Sequence, residues 1–236
     1  MKLIFTIFIT SMINNLHAQG LNKVFPNPND HEIVTNGFDI GIWMLDSKGN
    51  IAHWLDQKYK NKQLREPINV ILCVQTQSPI EANIILDKSM RQAGFRPRNG
   101  HSNGYRVLIN NDVYDQASFK IEKKSTEKEG EKNKEFTYSN ASFLKLNDHG
   151  RIFGPVFQNN QYCYTGAFSI EVPQARHHVF VSFLEARKNL EENLIQKAGA
   201  RETGYAFLHN NIPEDDSNLT TGDHDGNAVI LELLDN

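Results

Sequence analysis

The chain has 236 residues, of which 39% are hydrophobic and 22% are charged. This length and apolar content favour one folded domain and exclude wholesale disorder. A formal net charge of -3 and only two cysteines argue against a basic nucleic-acid-binding surface and against a disulfide-rich scaffold.

The N-terminus is typical of an export signal. Lys2 is followed by the apolar run LIFTIFITSMI over residues 3–13, which has the length of a signal-peptide core and is too short to span a bilayer. Residues 1–18 are therefore predicted to be a signal peptide that is cleaved before Gln19. No later stretch is long enough to cross a membrane, so we expect an extracytoplasmic protein, either periplasmic or secreted.

Composition divides the remainder of the chain. Residues 19–36 are polar and include two of the eight prolines, which indicates an irregular N-terminal arm. Residues 37–236 are predicted to form a single domain. Within it, residues 120–135 contain six lysines and five glutamates and almost no apolar residue, which is typical of a charged, mobile insertion.

The first strand–helix unit follows Pro67. Residues 68–74 form an apolar run typical of a buried strand, and Ser78-Pro79-Ile80-Glu81 has the spacing of a capping box with proline at the first helical position. Apolar and small residues recur at helical spacing up to Ala93, and Gly94 is expected to end the helix.

A second unit has the same pattern. Residues 178–183 read as a strand, Ser182 and Glu185 repeat the capping-box spacing, and Gly199 ends the helix before a new strand over residues 204–209. Two such units occur by chance in many α/β proteins, and an internal duplication is the alternative explanation.

These units predict the fold class. We expect an α+β domain with a mixed β-sheet and two capped helices packed on one face. Further strands are predicted at residues 105–110, 118–121, 152–157, 162–171 and 228–234.

The two cysteines lie in different predicted strands. A disulfide between Cys73 and Cys163 would close a loop of about 90 residues and stabilise the fold by about 4 kcal/mol. The alternative, which the rarity of bridging geometry inside strands favours, is two separate buried thiols.

Histidine occurs beside glycine, asparagine, aspartate or arginine in four polar segments, at residues 99–104, 147–151, 174–178 and 222–227. Loops supported by rigid elements often carry binding sites, and imidazoles and carboxylates suit a divalent metal. The candidate binding residues are His101, His149, Arg151 and His178, and the candidate metal ligands are His101, His149, His178, Asp223 and Asp225. The alternative is that these residues are turn formers that bond the local backbone.

Three segments resemble the C-terminal domain of LssY-type bacterial proteins: Glu66-Pro67-Ile68-Asn69-Val70-Ile71-Leu72, Ala93-Gly94-Phe95 and His177-His178-Val179-Phe180-Val181. The resemblance covers about a third of the chain. It implies a bacterial α/β domain of unknown activity and transfers no catalytic residue.

We therefore expect an exported bacterial domain that binds a ligand through its His/Asn/Asp-rich loops. The alternative is a metal-dependent hydrolase in which Arg151 steadies an anionic substrate. A structural envelope protein without a ligand is a third class. The sequence leaves open the ligand, the oligomeric state and whether the protein is an enzyme.

Overall fold

The computed structural model describes residues 30–34, 37–98, 104–116, 137–142, 144–174, 177–213 and 218–235, without the side chains of residues 55, 56 and 177. The predicted signal peptide 1–18, the arm up to residue 29, His101, the predicted strand 118–121 and the charged insertion 120–135 lie outside these residues.

The described residues form fifteen strands and two helices. The strands are β1 His31–Val34, β2 Phe38–Gly41, β3 His53–Tyr59, β4 Lys62–Arg65, β5 Val70–Val74, β6 Arg96–Arg98, β7 Arg106–Ile109, β8 Asp112–Asp115, β9 Thr137–Ser139, β10 Asn147–Gln158, β11 Gln161–Gln174, β12 His177–Ser182, β13 Arg201–Phe207, β14 Leu219–Thr220 and β15 Asn227–Leu233. The helices are α1 Pro79–Gln92 and α2 Leu184–Ala198.

A central sheet has the strand order β13-β15-β5-β11-β10-β9-β6, and β12 pairs with the C-terminal end of β11. β15 and β5 are parallel and the other neighbours are antiparallel, so the sheet is mixed. Two smaller sheets have the orders β1-β2-β7-β8 and β14-β4-β3. The mixed sheet and the two helices confirm the predicted α+β class.

Strand alternation divides the core into two apolar layers. Val70, Leu72 and Val74 of β5 belong to one core cluster with buried residues of α1 and α2. Ile71 and Cys73, which point the other way, belong to a second cluster with residues of β2 and β7. The central sheet is therefore buried on both faces, which explains why β5 is apolar at every position.

Both helices begin and end within one residue of the positions that the sequence predicts. The Ser78 hydroxyl accepts a hydrogen bond from Glu81 N at 3.3 Å, and Pro79 occupies the first turn of α1. At α2, the Ser182 hydroxyl accepts from Glu185 N at 2.8 Å, and Gly199 is left-handed with φ 69°. No helix in the described part of the chain is long and apolar enough to cross a membrane.

The two cysteines form a disulfide. Cys73 of β5 and Cys163 of β11 are directly opposite one another in the antiparallel pair, with Cα atoms 4.2 Å apart. The preference for separate thiols is therefore wrong: strand interiors do allow a bridge where two cysteines occupy the same register position.

Candidate functional site

The predicted binding residues of the middle region lie in a strand and not in a loop. His149 and Arg151 are on β10, where Asn147 pairs with Glu171 and His149 pairs with Ser169 of β11. Ile152 and Phe168 belong to the helix-side core, so these polar residues face the opposite side of the sheet. The prediction of a polar loop at residues 147–151 is wrong, because the polar side chains find partners across the sheet.

Glu171 is the centre of this buried cluster, with 2% of its side chain exposed. Asn147 Nδ2 donates to Oε1 at 3.3 Å, and His178 Nδ1 lies 2.6 Å from the same oxygen. His149 Nε2 is 3.8 Å from Oε2, which is too long for a hydrogen bond. A carboxylate has about four lone-pair sites, so Glu171 retains capacity to accept from a further donor.

Arg151 and Glu66 form a second buried pair on the same face. Arg151 Nη1 donates to Glu66 Oε2 at 3.1 Å, and the guanidinium lies 4.3 Å from the centre of the Tyr105 ring. Burial raises the pKa of Glu66, Arg151 opposes this shift and Glu171 reinforces it. The positive charge of Arg151 is thus paired with Glu66 inside the core.

A small cavity opens beside Glu171. Its volume of about 10 Å³ has room for one water-sized group. Arg98 is one of its lining residues, and the buried Nε of Arg98 makes no hydrogen bond within the described structure. The lining residues are Arg98, Thr137, Ser139, Ala141, Asn147, His149 and Glu171.

Asp223 and Asp225 lie at a different place, the start of α2. Asp223 accepts hydrogen bonds from Ser182 Oγ and from Phe183 N, the latter at 2.8 Å. Ser182 is four residues from His178 on β12, or about 13 Å along the strand. The two aspartates are therefore not brought together with the histidines.

Asp225 binds Arg187 through both carboxylate oxygens, at 2.6 and 2.9 Å. Burial acts to raise the pKa of Asp225, but the hydrogen bonds from Arg187 and Asn227 outweigh it and lower the pKa to about 2. Across the described ranges, no group of three or more His, Cys, Asp or Glu side chains is arranged to hold a metal ion. His101 lies outside these ranges.

Sequence reasoning missed Glu66, Glu171 and Arg98. Glu171 had a detectable signal, because Thr165, Ser169 and Glu171 fall on alternate positions of an otherwise apolar strand and so define one polar stripe. Glu66 and Arg98 belong to other segments and follow no such pattern. Only the order of the strands brings them near the residues of this stripe.

A second concave site lies between the β1-β2-β7-β8 sheet and the central sheet. This cleft has a volume of about 180 Å³. Its floor includes the Cys73–Cys163 disulfide, and its rim includes the β10–β11 turn. The lining residues are Val34, Phe38, Ile71, Cys73, Gln158, Asn159, Gln161, Cys163, Thr203, Ile230 and Glu232.

No protein-family model matches the chain, and neither the curated proteins nor the solved structures contain a match. The resemblance to the LssY-type domain therefore stays a prediction.

Proposed function

We propose that this protein is an exported ligand-binding protein, and that the buried cluster around Glu171 holds a polar group of a small ligand. The observation that supports this most is the burial of four ionisable side chains, Glu66, His149, Arg151 and Glu171, on one face of the sheet, with the half-buried His178 beside Glu171. Ionisable groups are expensive to bury, and such groups are typical of functional sites; two of them, His149 and Glu171, line the cavity.

The chemistry of the cavity favours a small zwitterion, such as a free amino acid. Glu171 can accept a hydrogen bond from an ammonium group, and the cavity has room for one such group. Because that room is filled by one group, the carboxylate would lie outside the cavity, where the half-exposed Arg98, which also lines the cavity, can donate to it. Both ends of a zwitterion would then meet a complementary charge.

Ligand-observed NMR with each of the common free amino acids tests this proposal. We expect at least one amino acid to bind the wild-type protein, and its methyl ester, which lacks the carboxylate charge, to bind at least tenfold more weakly. Arg98→Gln should weaken binding by at least tenfold, because a neutral amide replaces the guanidinium. Arg91→Gln is the matched control, since Arg91 lies on α1 and pairs with Asp87.

Glu171→Gln should abolish binding, because the neutral amide no longer attracts an ammonium group. Thermal unfolding of each variant establishes that it is folded, and Arg98→Gln carries the test if Glu171→Gln does not fold. Equal binding by wild type and Arg98→Gln, or no binding of any amino acid, would refute the proposal.

Export is supported by the apolar run at residues 3–13 and by the disulfide, because disulfides persist in oxidising compartments. Expression of the full chain in a bacterium followed by N-terminal sequencing of the extracytoplasmic fraction should give a mature protein starting at Gln19. Recovery of the uncleaved chain in the cytoplasm would contradict this part of the proposal.

The metal-dependent hydrolase is the weaker alternative, since no observation on the described residues favours it. Asp223 and Asp225 already bind Ser182, Phe183 and Arg187. Elemental analysis of the purified protein separates the two functions: a stoichiometric divalent metal that a chelator removes would support the hydrolase.

The internal duplication also stays a prediction. Both units join a strand to a capped helix that ends near an Ala-Gly pair. The two units differ in the direction of their strands. In the first unit β5 and β6 point in the same direction, whereas in the second β12 and β13 point in opposite directions.

A further inference from the structure

The cleft above the disulfide is far from the Glu171 cluster and has a different chemistry. Cys163 and Glu171 are eight residues apart on β11, or about 26 Å along the strand. The cleft is bordered by Val34 of β1 and Thr203 of β13, which belong to different sheets. A ligand in the cleft would therefore bind independently of the function proposed above.

Its size limits the ligand to a single ring. The volume is about 180 Å³, whereas pockets for drug-sized molecules start at roughly 300 Å³. An apolar cavity of roughly 150 Å³ in another protein binds benzene. A six-membered ring with a few small substituents is thus the largest ligand that the cleft accommodates without rearrangement.

The floor of the cleft is apolar. Phe38, Ile71 and the disulfide are buried beneath it, and Ile230 and Val34 are half-buried at its sides. Such a floor suits a surface of C–H groups and disfavours an ion, which would lose hydration without gaining a counter-charge.

The rim is polar and close to neutral. Gln158, Asn159 and Gln161 line it, and a side-chain amide can both donate and accept hydrogen bonds. The Gln158 amide oxygen also accepts from Asn110 Nδ2 at 3.5 Å. The carboxylate of Glu232 is paired with Arg201, so it does not add an uncompensated charge. Groups that both donate and accept, such as hydroxyls, match this rim best.

We propose that the cleft binds one neutral pyranose ring, with the C–H face of the sugar on the apolar floor and its hydroxyl groups toward the amide rim. A pyranose combines these two surfaces in one six-membered ring. The apolar floor disfavours an ion, the polar rim disfavours a purely apolar ring, and the volume limits the ligand to one ring.

Amide NMR titration of the mature chain tests the proposal, with the methyl glycosides of glucose, galactose and mannose as probes and cyclohexanol as an apolar ring of similar size. We expect at least one glycoside to cause saturable shifts at residues 158–161 and 203, and cyclohexanol to bind at least tenfold more weakly. Absence of saturable shifts with all three glycosides, or tighter binding of cyclohexanol, would overturn the proposal.

Two substitutions on β13 provide a matched pair. Thr203→Trp places an indole in the cleft from an exposed position, and we expect it to weaken glycoside binding by at least tenfold. Glu202→Trp is the control, because Glu202 is exposed and pairs with Leu231, which faces the helices.

Gln161→Ala, which removes a rim amide without filling the cleft, should weaken binding as well and provides a second variant if Thr203→Trp does not fold. Equal affinity in wild type, Thr203→Trp and Gln161→Ala would place the sugar elsewhere and contradict the assignment.

Discussion

His224 is a buried histidine whose protonation state follows from its partner. The residue is 6% exposed, and Nε2 lies 2.7 Å from Asn210 Oδ1. Asn210 Nδ2 donates to the carbonyl oxygens of Ile42 and Ile68, both at 2.9 Å, so Oδ1 is the acceptor and Nε2 carries the proton. Burial lowers the pKa of His224 to about 4, and Asp225 only partly offsets this shift.

This histidine should make the protein less stable in acid. The pKa of His224 is 6.5 in the unfolded chain and about 4 in the folded chain. The contribution of neutral His224 to the free energy of unfolding is therefore complete above pH 6.5 and is lost as the pH falls through 4. The total is about 3 kcal/mol. His224→Gln, which keeps a donor for Asn210, should flatten the free energy of unfolding between pH 6.5 and 4, measured by urea titration at each pH.

His209→Gln is the control for this measurement, because His209 is exposed. An unchanged pH slope in His224→Gln would show that another group titrates in this range.

Gly150 makes room for an aromatic ring on the neighbouring strand. It pairs with Phe168, and a Cβ atom at residue 150 would lie 2.3 Å from Phe168 Cγ. Phe168 is itself buried against Phe95, with ring centres 6.1 Å apart, so the ring has little room to move. The requirement for glycine here is therefore steric.

Gly150→Ala should destabilise the protein by about 3 kcal/mol, because it overpacks the core. Guanidinium unfolding measures this change. The double variant Gly150→Ala/Phe168→Leu should recover part of the loss, since leucine is smaller than phenylalanine. A double variant that is as unstable as the sum of the two single variants would argue against the steric explanation.

At the scale of elements, α2 is tied to the turn before β15. The Asp223 carboxylate caps the first backbone N–H groups of α2, where the positive end of the helix dipole favours negative charge. Arg187, in the first turns of α2, binds Asp225 and donates to Asn227 O at 2.7 Å. The aspartates that resembled metal ligands in the sequence thus hold a helix in place.

Asp225→Asn should destabilise the protein by about 2 kcal/mol, because it leaves the buried Arg187 without its counter-charge. Loss of a fully buried partner costs about 3–5 kcal/mol, and the smaller value reflects the 38% exposure of the Asp225 side chain. Chemical denaturation measures the change. Asp235→Asn, at the exposed pair with Lys88, should change stability by less than about 0.5 kcal/mol, and equal effects of both substitutions would contradict the structural role.

Local signals predicted the helices well and the site only in part. Ser78, Pro79 and Gly94 bracket α1 because capping and proline preferences act within a few residues. His149 and Arg151 were expected in a loop, because the polar segment 147–151 has the composition of a turn, and they lie on β10. Its strand character depends on β11, which supplies the backbone partners.

At the scale of the whole molecule, the disulfide joins the two strands at the centre of the main sheet. Cys73 and Cys163 are 90 residues apart in the chain, and α1 and β6 to β10 lie between them. The bond therefore constrains a large part of the unfolded chain, and its stabilising effect should be felt by the whole fold.

Cys73→Ala/Cys163→Ala should lower the free energy of unfolding by about 4 kcal/mol, as expected for a closed loop of this length. Urea unfolding with and without dithiothreitol measures the effect. Reductant should destabilise the wild type by a similar amount and leave the double variant unchanged. A loss below about 1 kcal/mol, or a reductant effect on the double variant, would contradict this prediction.

The sequence by itself determined the α+β class, the positions of both helices and the strand character of the main apolar runs. These features depend on caps, glycines and periodicity, which act over short distances. Only the tertiary structure decided that Glu171 lies between His149 and His178, that Cys73 faces Cys163, and that Asp223 caps a helix instead of joining the histidines. The physical reason is strand order and register. Alternation along a strand determines the face on which a side chain lies, whereas the order and register of the strands determine which residue lies opposite it.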